Sequence, residues 1–191
     1  ALDGGTTAKD NVGIYTKTGA VSSTGDVILK DGVGNLALVA QGSNRAGQAY
    51  NIQVRKVEAT NTKNSTVIYA NGGATVKADE LNITGATVES DASTVNNKNT
   101  GAVYATGAGT TVTVDRTSAP TAGTYNISIT GQALTDSPTK YAGFGMYAAD
   151  GAVVNAKNNN ISVTNGSSAI VSTDANSKVE LDGSSVFYNG S

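Results

Sequence analysis

Apolar residues recur along the chain as short runs separated by polar turns. Six runs share one pattern: Gly13-Ile14-Tyr15-Thr16, Ala37-Leu38-Val39-Ala40, Val67-Ile68-Tyr69-Ala70, Ala102-Val103-Tyr104-Ala105, Gly145-Met146-Tyr147-Ala148 and Ala169-Ile170-Val171-Ser172. With the third residue of each as an anchor, the spacings are 24, 30, 35, 43 and 24 residues. A second apolar run follows most anchors: Ala20-Val21, Thr75-Val76, Val112-Thr113-Val114, Val153-Val154 and Val179-Glu180-Leu181. A third alternates: Val27-Ile28-Leu29, Ile52-Gln53-Val54, Leu81-Asn82-Ile83, Ile127-Ser128-Ile129 and Ile161-Ser162-Val163. Alternation over three to five residues predicts strands, since a helix would repeat its apolar positions every three to four. Turns such as Asn71-Gly72-Gly73 and Asn165-Gly166-Ser167-Ser168 separate them.

Three short strands per repeat, at intervals of 24 residues or more, predict one turn of a parallel β-helix, whose turns bury their inward faces by stacking. The expected fold is all-β: a single-stranded right-handed parallel β-helix of about six to seven coils with irregular loops, forming one segment over residues 1–191 and a rod of about 30 Å. The longest insertion falls between Tyr104 and Tyr147, at Asp115 to Gly123 and Leu134 to Tyr141.

Period two also assigns faces. The residue before each anchor is a large aliphatic (Ile14, Leu38, Ile68, Val103, Met146, Ile170) and should stack inward. The residue after it is small (Thr16, Ala40, Ala70, Ala105, Ala148, Ser172), as a narrow interior requires. The anchors Tyr15, Val39, Tyr69, Tyr104, Tyr147 and Val171 then point outward, because a one-residue slip would exchange every side chain between faces.

Composition agrees. Among 191 residues, 25 Thr, 23 Gly, 19 Asn and 17 Ser dominate, and 29 Val plus Ile outnumber 7 Leu. This is the vocabulary of strands and turns. The chain has no Cys, His or Trp, which excludes disulfides, thiol nucleophiles, Ser-His-Asp catalysis and Cys- or His-ligated metal. A net charge of −2 and scattered cations (Lys17, Lys30, Arg45, Arg55, Lys56, Lys77), with no Lys/Arg run of aromatic spacing, argue against nucleic acid as a partner. No apolar stretch is long enough to insert in a membrane as a helix. The chain starts Ala1-Leu2-Asp3 and stops just after the apolar Val186-Phe187-Tyr188, so a fragment of a longer exported protein is expected.

The small-aliphatic-Tyr-small runs, the N-x-G turns and the strand exits Thr84-Gly85, Thr130-Gly131 and Thr164-Asn165 resemble the right-handed β-helical passenger domains of Gram-negative autotransporter adhesins. The resemblance covers most of the chain. It implies an extracellular, cell-surface protein exported across the outer membrane, often an adhesin, with a membrane-anchoring β-barrel elsewhere in the full polypeptide. It brings no catalytic motif.

Candidate chemistry is sparse. The closest carboxylate groupings are Asp79-Glu80, Glu89 with Asp91, and Asp115 beside Arg116; extended backbone would turn Asp79 and Glu80 to opposite faces. No aligned acidic column supplies the two carboxyl groups of a glycosidase. Asn158-Asn159-Asn160 does not resemble a calcium loop, and an asparagine turn or ladder explains it better. Only Thr111-Val112-Thr113 resembles the T-x-T unit of an ice binder. The row Tyr69, Tyr104, Tyr147 is the candidate ligand-contact surface for a host or partner-cell glycan or protein; the competing explanation is stacking that only stabilises strand pairing. The expected function is non-enzymatic attachment without cofactor. The alternatives are a polysaccharide-acting enzyme on the same fold, marked by three or more carboxylates over one groove, and a subunit that self-associates end to end through open strand edges.

Overall fold

A computed structural model of the chain describes residues 2–3, 10–88, 100–134 and 137–190, with residues 2–3, 133–134 and 137–142 described through their backbone alone. The described residues are all-β, with strands and turns and no helix. All pairing but that of one short antiparallel pair is parallel, and each parallel strand pairs with the strand one repeat earlier or later.

Three columns of strands result. The first is a six-stranded sheet made of Val12–Lys17, Leu36–Gln41, Thr66–Asn71, Gly101–Thr106, Phe144–Ala149 and Ser168–Ser172. Its register joins Tyr15 to Val39, Val39 to Tyr69, Tyr69 to Tyr104, Tyr104 to Tyr147 and Tyr147 to Val171, so all six sequence anchors form one row. The second and third columns belong to one ten-stranded sheet, because Val21–Lys30, Ile52–Thr60 and Thr75–Thr87 each run through both. Thr111–Asp115, Val153–Lys157 and Lys178–Asp182 continue the second column. Ile127–Thr130, Asn160–Thr164 and Ser185–Asn189 continue the third.

One run changes column. Ile52-Gln53-Val54 pairs with Val76-Lys77-Ala78 and so belongs to the second column; Val57-Glu58-Ala59 is the third-column run of that repeat. Alternation identifies a strand but not its column, and here the two lie within a single strand.

The core lies between the columns and forms one cluster. Leu38, Ile68, Val103 and Met146 stack inside the first column, with Ala40, Ala70, Ala105 and Ala148 beside them, all fully buried. Strict alternation breaks at the entry to these strands. Ala37, Val67 and Ala102, one residue earlier, also join the core, so two consecutive residues point inward at each corner. The core positions of the last repeat are open: Leu181, Val186 and Tyr188 are exposed although Ala156, Ile161 and Val163, their partners one repeat earlier, are buried.

The turn after the first column shows what the stack demands of sequence. Thr18, Gly42, Gly72, Gly107 and Asp150 all have left-handed backbone there. They are tied by amide-to-carbonyl bonds from Gly42 to Asn71, Gly72 to Thr106 and Gly107 to Ala149. A Cβ on Gly107 would stand 3.0 Å from the Gly72 nitrogen, so the inner levels need glycine for space as well as for φ.

The insertion between Tyr104 and Tyr147 lies where expected. It comprises the turn between Thr111–Asp115 and Ile127–Thr130 and an antiparallel pair, Gln132–Leu134 with Ser137–Ala142.

Candidate functional site

The anchor row carries the densest aromatic grouping among the described residues. Parallel pairing holds equivalent Cα atoms about 4.8 Å apart, close to the stacking distance of two rings. Tyr69 and Tyr104 stack with centroids 5.7 Å apart and planes 8° from parallel; Tyr104 and Tyr147 stack at 4.9 Å and 18°. The three predicted contact residues are thus brought together on the outward face. All three are half-buried, whereas Tyr15 at the end of the row is 53% exposed. Stacked rings present their edges and hydroxyls to solvent. Asn71 Nδ2 donates to the Tyr69 hydroxyl at 3.0 Å, and the Tyr15 hydroxyl donates to Gln41 Oε1 at 2.9 Å.

Sequence reasoning missed Phe144. Its ring is nearly buried and packs edge-on against Tyr104 (6.1 Å, 62°) and Tyr147 (5.7 Å, 67°). It sits in register with Gly101, where a Cβ would come within 2.1 Å of the Phe144 ring. The glycine makes room for the ring. The signal was a large aromatic aligned with glycine in the preceding repeat.

Burial is the main cause that raises the Tyr104 hydroxyl above its ordinary value of 10.0, and negative charge on Tyr147, Tyr69 and Asp150 would add to it. A raised folded-state value means the fold holds the proton more tightly than the unfolded chain does. Its stabilising contribution is complete below about pH 10 and is lost as pH rises through the folded value. Thermal unfolding followed across that range should show a falling midpoint. Tyr104→Phe should flatten that fall, and an unchanged pH slope in the variant would refute the assignment.

Among the described residues the predicted carboxylate groupings do not converge on one another. Asp79 and Glu80 both face outward, contrary to the extended-strand expectation, because the chain bends between the second and third columns there. Each has its own cation: Asp79 lies 3.5 Å from Lys77, and Glu80 lies 3.9 Å from Arg116, which also donates to Asn82. One repeat earlier, Asp26 pairs with Arg55 and Lys56, and Lys56 with Glu58. The hydrogen bond to Glu58 is the largest influence holding Lys56 above its ordinary value. Such partly exposed pairs are worth about 0–1 kcal/mol each, and those of Asp26 with Lys56 and of Glu80 with Arg116 tie neighbouring repeats together at the corner. Asp174 is likewise a turn residue: it accepts from the Ser177 hydroxyl and the Asn176, Asp150 and Ser177 amides, which hold its carboxyl below the usual range. Glu89 and Asp91 lie outside the described residues.

Asn158, Asn159 and Asn160 form a turn and ladder. Asn158 has φ 55°, and Asn160 donates to the Thr124 carbonyl. Asn159 donates to the carbonyls of Lys157 and Val114 and accepts from Asn126. Among the described residues no group of three His, Cys, Asp or Glu could hold a metal ion, and no helix is long and apolar enough to cross a membrane.

Comparison with known proteins finds no matching family model, no matching curated protein and no matching solved structure.

Proposed function

We propose that this chain is a rigid, non-enzymatic segment of an exported bacterial cell-surface adhesin that winds as a right-handed parallel β-helix. Three features support the winding: the repeat-by-repeat parallel register, the single core enclosed by three columns, and the small residues that line it. Parallel crossovers are right-handed in nearly all proteins, which supports the hand. The extracellular location rests on the resemblance to autotransporter passenger domains. Attachment rests on one observation, the stacked outward row Tyr69, Tyr104 and Tyr147. Three rings held at strand spacing offer an amphipathic surface whose ordering entropy is already lost in the free protein. The ion-paired corner carboxylates make the polysaccharide-acting alternative the weaker reading.

The test is attachment of the purified segment to cell surfaces and to arrays of glycans and proteins. Replacing Tyr69, Tyr104 and Tyr147 together by Ala should weaken attachment about tenfold or more, beyond any single change, because the rings act as one surface. Attachment should depend weakly on salt, given a net charge of −2. Undiminished attachment by a variant with native circular dichroism would make the row purely structural.

A further inference from the structure

The first column carries a second outward row, three residues before the anchors. In register it reads Val12, Leu36, Thr66, Gly101 and Phe144. A channel runs between the two rows. At the Gly101 level the protein fills it with the Phe144 ring, edge-on to Tyr104 and Tyr147. At the Val12, Leu36 and Thr66 levels the described residues supply no ring in this second row. The channel stays open there as a groove of about 680 Å³, walled by Tyr15, Val39, Tyr69 and Tyr104. Among the described residues the only charge lining the groove is Asp10, and none of them forms an ion pair with its carboxylate.

We infer that this groove takes an aromatic side chain of a partner polypeptide, with a cationic side chain next to it set against Asp10. The inference rests on the reading of this face as the contact surface and names the chemistry of its ligand. Phe144 shows within the same fold what the channel accepts: a ring held by edge-to-face contact with the tyrosine row. The negative Asp10 carboxylate at the rim complements a Lys or Arg beside that ring.

The chain has no Trp, so a tryptophan probe excited beyond the absorption of the eight tyrosines fluoresces against a dark background. Acetyl-Arg-Trp-Thr-amide should titrate to saturation, and acetyl-Glu-Trp-Thr-amide should bind about fivefold more weakly, the scale of one exposed ion pair. Acetyl-Arg-Leu-Thr-amide should compete poorly. Asp10→Asn should erase the preference between the two Trp peptides. Leu36→Gly with Thr66→Phe rebuilds the Phe144-over-Gly101 arrangement inside the groove and should abolish binding. If that variant does not fold, Leu36→Phe, which places a ring in the second row at the groove, serves the same purpose. Absent saturation, equal competition by the Leu peptide, or undiminished binding by a folded groove-filling variant would overturn the inference. So would a neutral oligosaccharide that binds the groove where the peptides do not. The two readings can fail separately. Tyrosine-dependent attachment without peptide binding would sink only the groove ligand; peptide binding with tyrosine-independent attachment would sink only the adhesive role of the row.

Discussion

Ile68→Ala should cost about 2–5 kcal/mol of stability, the range for truncating a fully enclosed aliphatic chain. Ile68 is completely buried and lies in register between Leu38 and Val103, so the stack above and below it is fixed by two strands. The neighbouring positions are already alanines, Ala40, Ala70 and Ala105, which leave no long side chain free to swing into the void. Tyr69→Ala, one residue on, removes a larger side chain but from the outer face. It forfeits one stacking contact, to Tyr104, and the Asn71 hydrogen bond, together about 1–2 kcal/mol. Urea unfolding of the two variants measures the difference. Equal costs, or a larger cost for Tyr69→Ala, would mean that the outer row is part of the core energetics and that a covered rather than an open face must be assumed.

That contrast is legible in the sequence. The recurrence of a large aliphatic, an anchor and a small residue set both the strand register and the buried side for Ile68 and its equivalents, because a stacked parallel column forces equivalent residues into the same environment. The corners were not readable. Val67-Ile68 both face inward and Asp79-Glu80 both face outward, since a bend between columns resets the alternation, and no residue type there announces it. The same limit displaced Ile52-Gln53-Val54 by one column. Phe144 over Gly101 was present in the aligned repeats, yet it becomes meaningful only when ring packing shows that one side chain fills the space above the glycine. The groove beside it depends on where the rings of Tyr15, Tyr69 and Tyr104 rest, which spacing along the chain does not encode.

Asn159→Asp should destabilise the protein by roughly 3 kcal/mol or more at neutral pH, because it buries an unpaired charge against acceptors. Asn159 is fully buried. Its Nδ2 donates to the carbonyls of Lys157 at 2.8 Å and Val114 at 3.2 Å, while Oδ1 accepts from Asn126 Nδ2 at 2.9 Å. A carboxylate keeps the third bond and turns the first two into oxygen facing oxygen. Desolvation and these carbonyls both favour the protonated acid, so the folded-state value rises above the unfolded one near 3.9. The sign follows. The deficit is smallest below about pH 4, where both states are protonated, and grows as pH rises toward the folded value. Urea unfolding of the variant and the parent at acid and neutral pH should show this widening gap. A pH-independent deficit would mean that the carboxylate rotates to solvent and that the turn is looser than its hydrogen bonds imply. The same variant separates a ladder from a cation site. Were Asn158-Asn159-Asn160 a calcium loop, an added carboxylate would strengthen the donor set, and millimolar calcium would restore the lost stability. A ladder built to satisfy backbone carbonyls gains nothing from calcium, and no restoration is the expected result.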